Sequence, residues 1–510
     1  MSTNTAHPQF GKLRSMLFPI HMYELKKVIP MSMIFFFILF NYTCLRNIKD
    51  SLIVTAGGSG AEALSYLKLF CVTPAAIIFM VMYAQASNIF SNEKLFYVTL
   101  TPFVLFFGAF AFFLYPNRDI LHPSIESVQA WQVEFPRAKW LISIYGNWTY
   151  SIFYVLAEIW GSAILSLSFW QFANQITRTP EAKRFYAFFG LIAQTSLMLS
   201  GTIGEYFSSL KDRLPEGVDA WGISLKWQMG IVFVFGIFTM IIYRWIYTNV
   251  LTDKRFYDKP ELPGVAKKKK KPSLVQSFMT IFTSPYLALI AILVITYGTS
   301  VNLIEAAWKS QVKIKYPRPD DMNVFMNQFS FWTGVVSMLM MIVGSNILRI
   351  FSWFTAAVVT PLIMFFGGCL FFAFVLFRTE LADFIQQIGT NPVALAVMVG
   401  AVVVVAIKST KYSLFDLTKE MAYIPLDEDM KVKGKAVVDV VGGRLGKSGG
   451  ASIQAFLMSV AFPGASLLQL APWVAGVFVI ICLIWLIAVK GLSNKIVVLQ
   501  KEEEKEISSH

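Results

Sequence analysis

The sequence predicts an all-α membrane protein, twelve transmembrane helices in two six-helix pseudo-repeats, and three observations predict it. The chain of 510 residues is 56% hydrophobic and only 15% charged, where a soluble domain carries about 25% charged residues. Its mean hydropathy is +0.58. Its apolar residues gather into runs long enough to cross a hydrocarbon core, which takes about 20 residues of helix. Finally, the second half of the chain repeats features of the first.

The apolar runs fall at 28–50, 63–86, 94–115, 141–173, 184–208, 225–248, 280–305, 324–347, 353–378, 391–415, 433–461 and 468–490. Several exceed the minimum, so tilted or kinked helices are expected. The repeat appears twice. Pro30 is followed by Tyr42, Asn47 and Asp50 at offsets of 12, 17 and 20; Pro285 is followed by Tyr297, Asn302 and Glu305 at the same offsets. SNIF at 87–90 leads to TPFVLFFG at 101–108, and SNIL at 345–348 leads to TPLIMFFG at 360–367. The matches lie 255–259 residues apart and run in the same chain direction. Parallel repeats of six helices describe the major-facilitator architecture, with substrate held near the midplane between the halves. The expected organisation is an N-terminal segment 1–27, a six-helix bundle 28–248, a basic linker 249–276, a second bundle 277–490 and a tail 491–510.

The net charge of +13 is read as topology, because positive residues concentrate in cytoplasmic loops. Lys26 and Lys27 precede the first run, Arg178, Lys183 and Arg184 separate the fourth and fifth, and Lys267 to Lys271 lie in the linker. Lys431, Lys433 and Lys435 precede the eleventh and Lys490 and Lys495 follow the twelfth. Both termini are therefore expected on the cytoplasmic side. Lys313, Lys315 and Arg318 are an exception on the other side. The linker lysines read as a solvated anchor, not a nucleic-acid patch. With no cleavable leader in view, a bacterial inner membrane is expected. The four cysteines are single, and the four histidines lie outside the apolar runs. Neither supplies a metal or redox spacing, so no cofactor or metal is expected.

Charges inside apolar runs carry the functional reading. A charge at a helix centre costs roughly 2.5–3.5 kcal/mol on insertion scales, so it normally faces a cavity. The first run holds Arg46, Lys49 and Asp50, the fourth Glu158, the seventh Glu305 and Lys309, the tenth Lys408 and Lys411, and the eleventh Asp439, Arg444 and Lys447. Lys309, Lys408 and Lys411 could equally snorkel to the interface. Arg46 with Lys49, and Arg444 with Lys447, are each three apart and share a helical face. Two helices, one per half, would thus present an Arg/Lys pair to a central cavity. Arginine grips phosphate as a fork and lysine acts as a point charge. Such a cluster calls for a polyanion, with Glu158, Glu305, Asp50 and Asp439 as counter-charges when the site is empty.

The stretch VVDVVGGRLGKSGG at 437–450 looks like a phosphate-binding loop, but Val441 stands where G-x-x-x-x-G-K-[ST] needs glycine. No soluble stretch is long enough for the domain such a loop serves. Gly442, Gly446 and Gly450 instead form a small-residue stripe on a helix, one that could be locally unwound. The expectation is a membrane helix that offers Arg444 and Lys447 to phosphate without hydrolysing it. A packing helix with snorkelling bases is the plainer alternative.

The segments ILFNYTCLRNIKDSLIVTA, FYVLAEIWGS, NLIEAAWKS, KYSLFDLTKEMAYIPLDEDMKVKGKA and LGKSGGASIQ closely resemble the ATP/ADP translocases, the nucleotide transporters of chlamydiae, rickettsiae and plant plastids. The resemblance covers about residues 20–495. It implies exchange of ATP for ADP, in some members with phosphate accompanying ADP. The chain itself is expected to function as a monomer. It also implies that Lys49, Glu158, Glu305 and Lys447 matter for transport. Other members import nucleoside triphosphates with protons, and the exchanger is preferred here because no histidine lies in the apolar runs. For substrate contacts beyond the phosphates, Asn302, Lys309 and Lys408 are candidates, and Tyr154, Trp160 and Phe169 are candidates for stacking on adenine.

Overall fold

A computed structural model describes residues 20–253, 256, 284–426, 438 and 442–508. Among them, eleven helices are long and apolar enough to cross a membrane. The first half supplies α1 (Met22–Thr55), α2 (Ala61–Ile89), α3 (Asn92–Leu114), α4 (Trp148–Ile176), α5 (Thr179–Ser208) and α6 (Ala220–Asn249). The second supplies α7 (Pro285–Lys315), α8 (Pro319–Ile350), α9 (Trp353–Leu376) and α10 (Pro392–Ala422). A helix from Gly443–Phe456 that continues through Leu457–Ala461, α11, is the described part of the eleventh span, and α12 runs Ala471–Ser508. The linker expected at 249–276 lies almost wholly outside the described residues, as do Lys431, Lys433, Lys435 and Asp439.

Local chemistry explains where these helices start. Ser91 caps α3 by accepting from the Lys94 N–H, and Ser352 caps α9 by accepting from the Thr355 N–H. A serine oxygen there satisfies one of the orphan donors of the first turn. Pro102 and Pro361 sit inside these two helices. The duplicated motif is thus duplicated structure. The proline of the other match is used differently: Pro30 lies within α1, whereas Pro285 opens α7 behind its cap Ser284. The fourth apolar run begins at residue 141. The structure instead ends a separate helix, Lys139–Gly146, at Asn147 and begins α4 at Trp148.

Several spans relax into π-helical turns: Leu67–Val72 in α2, Phe110–Leu114 in α3, Gly161–Phe169 in α4, Lys411–Phe415 in α10 and Leu457–Ala461 in α11. In α2 the cause is Pro74, which has no N–H to continue the ladder. The Thr73 N–H and hydroxyl both reach the Lys68 carbonyl instead.

The two halves meet along two seams. On one, α5 and α8 pack closely through glycine. A Cβ at Gly201 would lie 2.6 Å from the Asn327 carbonyl oxygen, and one at Gly334 would lie 2.9 Å from that of Gln194. Behind this seam runs a buried polar ladder. Asn47 donates to Asn327 (2.9 Å) and Ser330 (3.0 Å), Ser208 donates to Asn323 (3.2 Å), and Gln228 donates to Ser208 (3.3 Å). On the other seam, α2 and α11 meet mainly on the face away from the termini. Ser65 donates to Gln454 and Tyr66 pairs with Ser459. On that far face Glu62 accepts from the Leu467 N–H at 2.9 Å, Lys139 donates to the Gly464 carbonyl at 3.3 Å, and Lys211 pairs with Asp321. Lys313, part of the exception to the positive-residue pattern, is engaged there too, donating to the Ser59 carbonyl. On the face nearer the termini α2 buries no side chain from Thr73 to Ile89. Along the α2–α11 seam the halves are therefore closed at the far face and more loosely joined at the near one.

Candidate functional site

The intramembrane charges converge where α1, α4, α7 and α10 face one another. Lys49 and Asp50 lie in the last two turns of α1, which ends at Thr55, and both are almost wholly buried. From them a chain of alternating charge crosses the molecule. Glu158 on α4 pairs with Lys49 at 2.8 Å, and Lys49 pairs with Asp50 at 2.8 Å. Asp50 reaches across to Lys309 on α7 at 2.8 Å. Lys309 lies 4.0 Å from Glu305 one turn earlier, and Glu305 pairs with Lys408 on α10 at 2.8 Å. Three carboxylates and three ammonium groups are thus joined and balance one another. The link between Asp50 and Lys309 ties the first half to the second. Burial of the charges is tolerable because each has an opposite partner at contact distance. Lys309 and Lys408 therefore do not snorkel; Lys411 pairs with Asp416 at 2.7 Å.

Four further bases have no carboxylate partner among the described residues: Arg46, Lys68, Arg444 and Lys447. One Arg46 guanidinium nitrogen is buried without a hydrogen-bond partner, and the group lies 6.0 Å from the Tyr42 ring. Arg444 touches the Met80 sulfur of α2 at 3.1 Å. Lys447 is exposed. Lys68 donates to the Asn302 side-chain oxygen at 2.6 Å. All four belong to one electrostatic neighbourhood: Arg46 acts on Lys408, while Lys68 and Lys447 act on Glu158, and Arg444 lies one helical turn from Lys447. Among the described residues the site carries a surplus of +4, its main electrical feature.

The glycine stripe of α11 explains how its bases come so close to α7. Gly446 lies against Gly298, where an added Cβ would meet the Gly446 backbone at 2.8 Å; Gly450 lies against Asn302, whose Cβ would be 2.7 Å from one added there. The helix runs unbroken through these glycines, so the local unwinding entertained from sequence does not occur in the described residues.

Some candidates are placed elsewhere. Trp160 is buried and donates its indole N–H to the Ile38 carbonyl at 3.1 Å, against Phe103 and Phe107. Phe169 is buried among Phe35, Trp170 and Phe189. Both are core residues of the first half, held there by the bulk that made them attractive as stacking surfaces. Tyr154 does reach the site, but its ring face is covered by the Lys49 ammonium at 3.9 Å. Lys68 was missed in the sequence: a single lysine in SYLKLFCV has no partner at helical spacing, and its meeting with Asn302 depends on how α2 packs against α7.

The fold is shared with transport proteins of very different sequence. A bacterial homologue of the iron transporter ferroportin, solved in an inward-facing state, superposes with a TM-score of 0.55 at 10% identity, over 93% of this chain and 100% of that one. Sequence similarity is far closer to two curated proteins. ADP,ATP carrier protein 1 of Chlamydia pneumoniae is 49% identical over 508 residues, 99% of this chain and 98% of that protein. ADP,ATP carrier protein 1 of Rickettsia bellii is 45% identical over 506 residues, 99% of this chain and 100% of that protein. With the TLC ATP/ADP transporter family matched from residue 3 to residue 496 and a central basic site on a two-half helical scaffold, this multi-pass membrane protein belongs to that family of transporters.

Proposed function

We propose that the chain is an ATP:ADP antiporter that takes up ATP in exchange for ADP by alternating access between its two halves. Its setting is a bacterial inner membrane with both termini cytoplasmic, so that the sealed far face is the outer one. The observation that carries this reading is the surplus of bases among the described residues of the central site. Arg46, Arg444 and Lys447 would take the phosphates, joined by Lys49 when it exchanges Glu158 for a phosphate oxygen. Glu158, Glu305 and Asp50 hold the fixed charges in register while the site is empty.

The same surplus explains exchange. Two like charges 4 Å apart repel by about 4 kcal/mol at an effective dielectric of 20. Moving four such groups through an occluded state without a counter-charge is costly, and a nucleotide carrying three or four negative charges removes that cost. Reorientation is then slow when empty and fast when loaded. Hydrolysis plays no part: the Gly-Lys-Ser segment is helix, not a loop that could wrap a phosphate.

The test is efflux from liposomes that hold the purified chain and labelled ADP. Release should need ATP or ADP outside and nearly stop in nucleotide-free buffer. Free release into empty buffer, or uptake into empty vesicles driven by a pH gradient, would overturn exchange and favour proton-coupled import. Adding labelled phosphate inside tests whether it travels with ADP.

A further inference from the structure

The internal repeat singles out one residue. Asn47 and Asn302 are equivalent positions, 255 residues apart. Each reaches out of its own half into the other: Asn47 meets Asn327 of α8 and Asn302 meets Lys68 of α2. Lys68 and Asn327 lie on corresponding helices of the two halves, α2 and α8. Where the α1–α8 contact is built from neutral amides and a hydroxyl, the α7–α2 contact holds an ammonium.

The ammonium is poorly served where it stands. Its one hydrogen-bond acceptor among the described residues is the neutral Asn302 oxygen. Glu158, Glu305 and Asp50 are engaged by Lys49, Lys408 and Lys309. Glu158 and Glu305 still act on Lys68 at a distance, as do the bases Lys49 and Lys309, which puts it beside the same charge cluster. Its backbone is pinned in the π-helical turn by Thr73, and single π turns are frequent at functional sites. Two and three residues earlier, Tyr66 and Ser65 hold the far seam shut against α11.

We propose that Lys68 is a further nucleotide-binding residue, which leaves Asn302 to contact a phosphate of the bound nucleotide. This rests on the nucleotide-exchange reading. A phosphate oxygen is a charged acceptor where Asn302 is a neutral one, and charge-assisted bonds are roughly twice as strong.

The experiment is nucleotide binding to the purified full chain by titration calorimetry, with Lys68→Gln and Lys68→Arg beside the parent. Glutamine can still bond to Asn302, so the α2–α7 contact survives while the charge is lost. Lys68→Gln should weaken ATP and ADP binding roughly 10- to 150-fold, with the unliganded melting temperature little changed and Lys68→Arg restoring most of the affinity. Loss of melting temperature with nucleotide affinity kept would assign Lys68 to packing and overturn the proposal. So would Lys68→Gln binding ATP within about twofold of the parent, or a loss for adenosine as large as that for ATP. A parent chain that binds no nucleotide would instead sink the exchange reading itself.

Discussion

Replacing Asp50 by asparagine tests the charge chain at its one crossing between halves. Asp50 is 1% exposed and holds two ammonium groups, Lys49 and Lys309, each at 2.8 Å. Asparagine keeps the volume and removes the charge, leaving two buried bases with one carboxylate each: Lys49 keeps Glu158, and Lys309 keeps Glu305 at 4.0 Å. Breaking a buried pair in this way costs about 3–5 kcal/mol, or roughly two to three and a half decades in the folded-to-unfolded ratio. The assay is denaturation of the purified protein in mild detergent by titration with sodium dodecyl sulfate, followed by the fluorescence of its 13 tryptophans. The double variant Asp50→Asn/Lys309→Gln removes the worse-served base as well. It should recover at least about 1 kcal/mol relative to the sum of the single changes, as coupled contacts do. ATP should stabilise Asp50→Asn more than it stabilises the parent, because its phosphates can serve the orphaned ammonium groups. Additive single changes, or a variant as stable as the parent, would refute the alternating chain as a structural tie.

Three further outcomes are expected. Lys447→Ala should weaken ATP binding roughly 10- to 150-fold, the worth of one charged hydrogen bond, whereas Glu158→Gln should bind at least as tightly as the parent and exchange more slowly; binding isotherms beside liposome exchange rates decide this. Cysteines at Ser65 and Gln454, oxidised to a disulfide, should hold the far seam shut, stopping exchange while leaving binding from the near face, and reductant should restore exchange. Gly201→Ala should cost about 1–3 kcal/mol in the same detergent titration, because its methyl would meet the Asn327 backbone at 2.6 Å; a neutral change would mean that the α5–α8 seam has slack.

The spans were legible because hydropathy and length act locally, and the duplication because two matched motifs kept nearly one offset. Their edges were less so. The break at Asn147 lies in an apolar run, and nothing in the run's hydropathy separates Lys139–Gly146 from α4. At the site, the identities of the intramembrane charges could be read, since each is expensive in lipid. Their pairing could not. Arg46 and Lys49 looked equivalent on one helical face, yet Lys49 is held by two carboxylates and Arg46 by none among the described residues. That difference depends on the register of α1 against α4 and α7, which side-chain spacing within one helix does not contain. Lys68 shows the same limit, and Trp160 and Phe169 show another: in a chain with 46 phenylalanines and 13 tryptophans, an aromatic residue near a charge is more often core than cavity wall.

The ladder behind the α5–α8 seam bears on how the protein is made. Its groups come from both halves: Asn47, Ser208 and Gln228 from the first, Asn323, Asn327 and Ser330 from the second. Hydrocarbon offers no water to replace a missing partner, and each unmet polar group there costs several kilocalories per mole. During synthesis α1 is inserted long before α8 exists, and through that interval the Asn47 amide lacks the partners it has at the end. The first six helices are therefore an unfinished object in the bilayer, and α8 must arrive before they can settle. A chain cut in the linker should yield a lasting first half only when the second is made in the same cell.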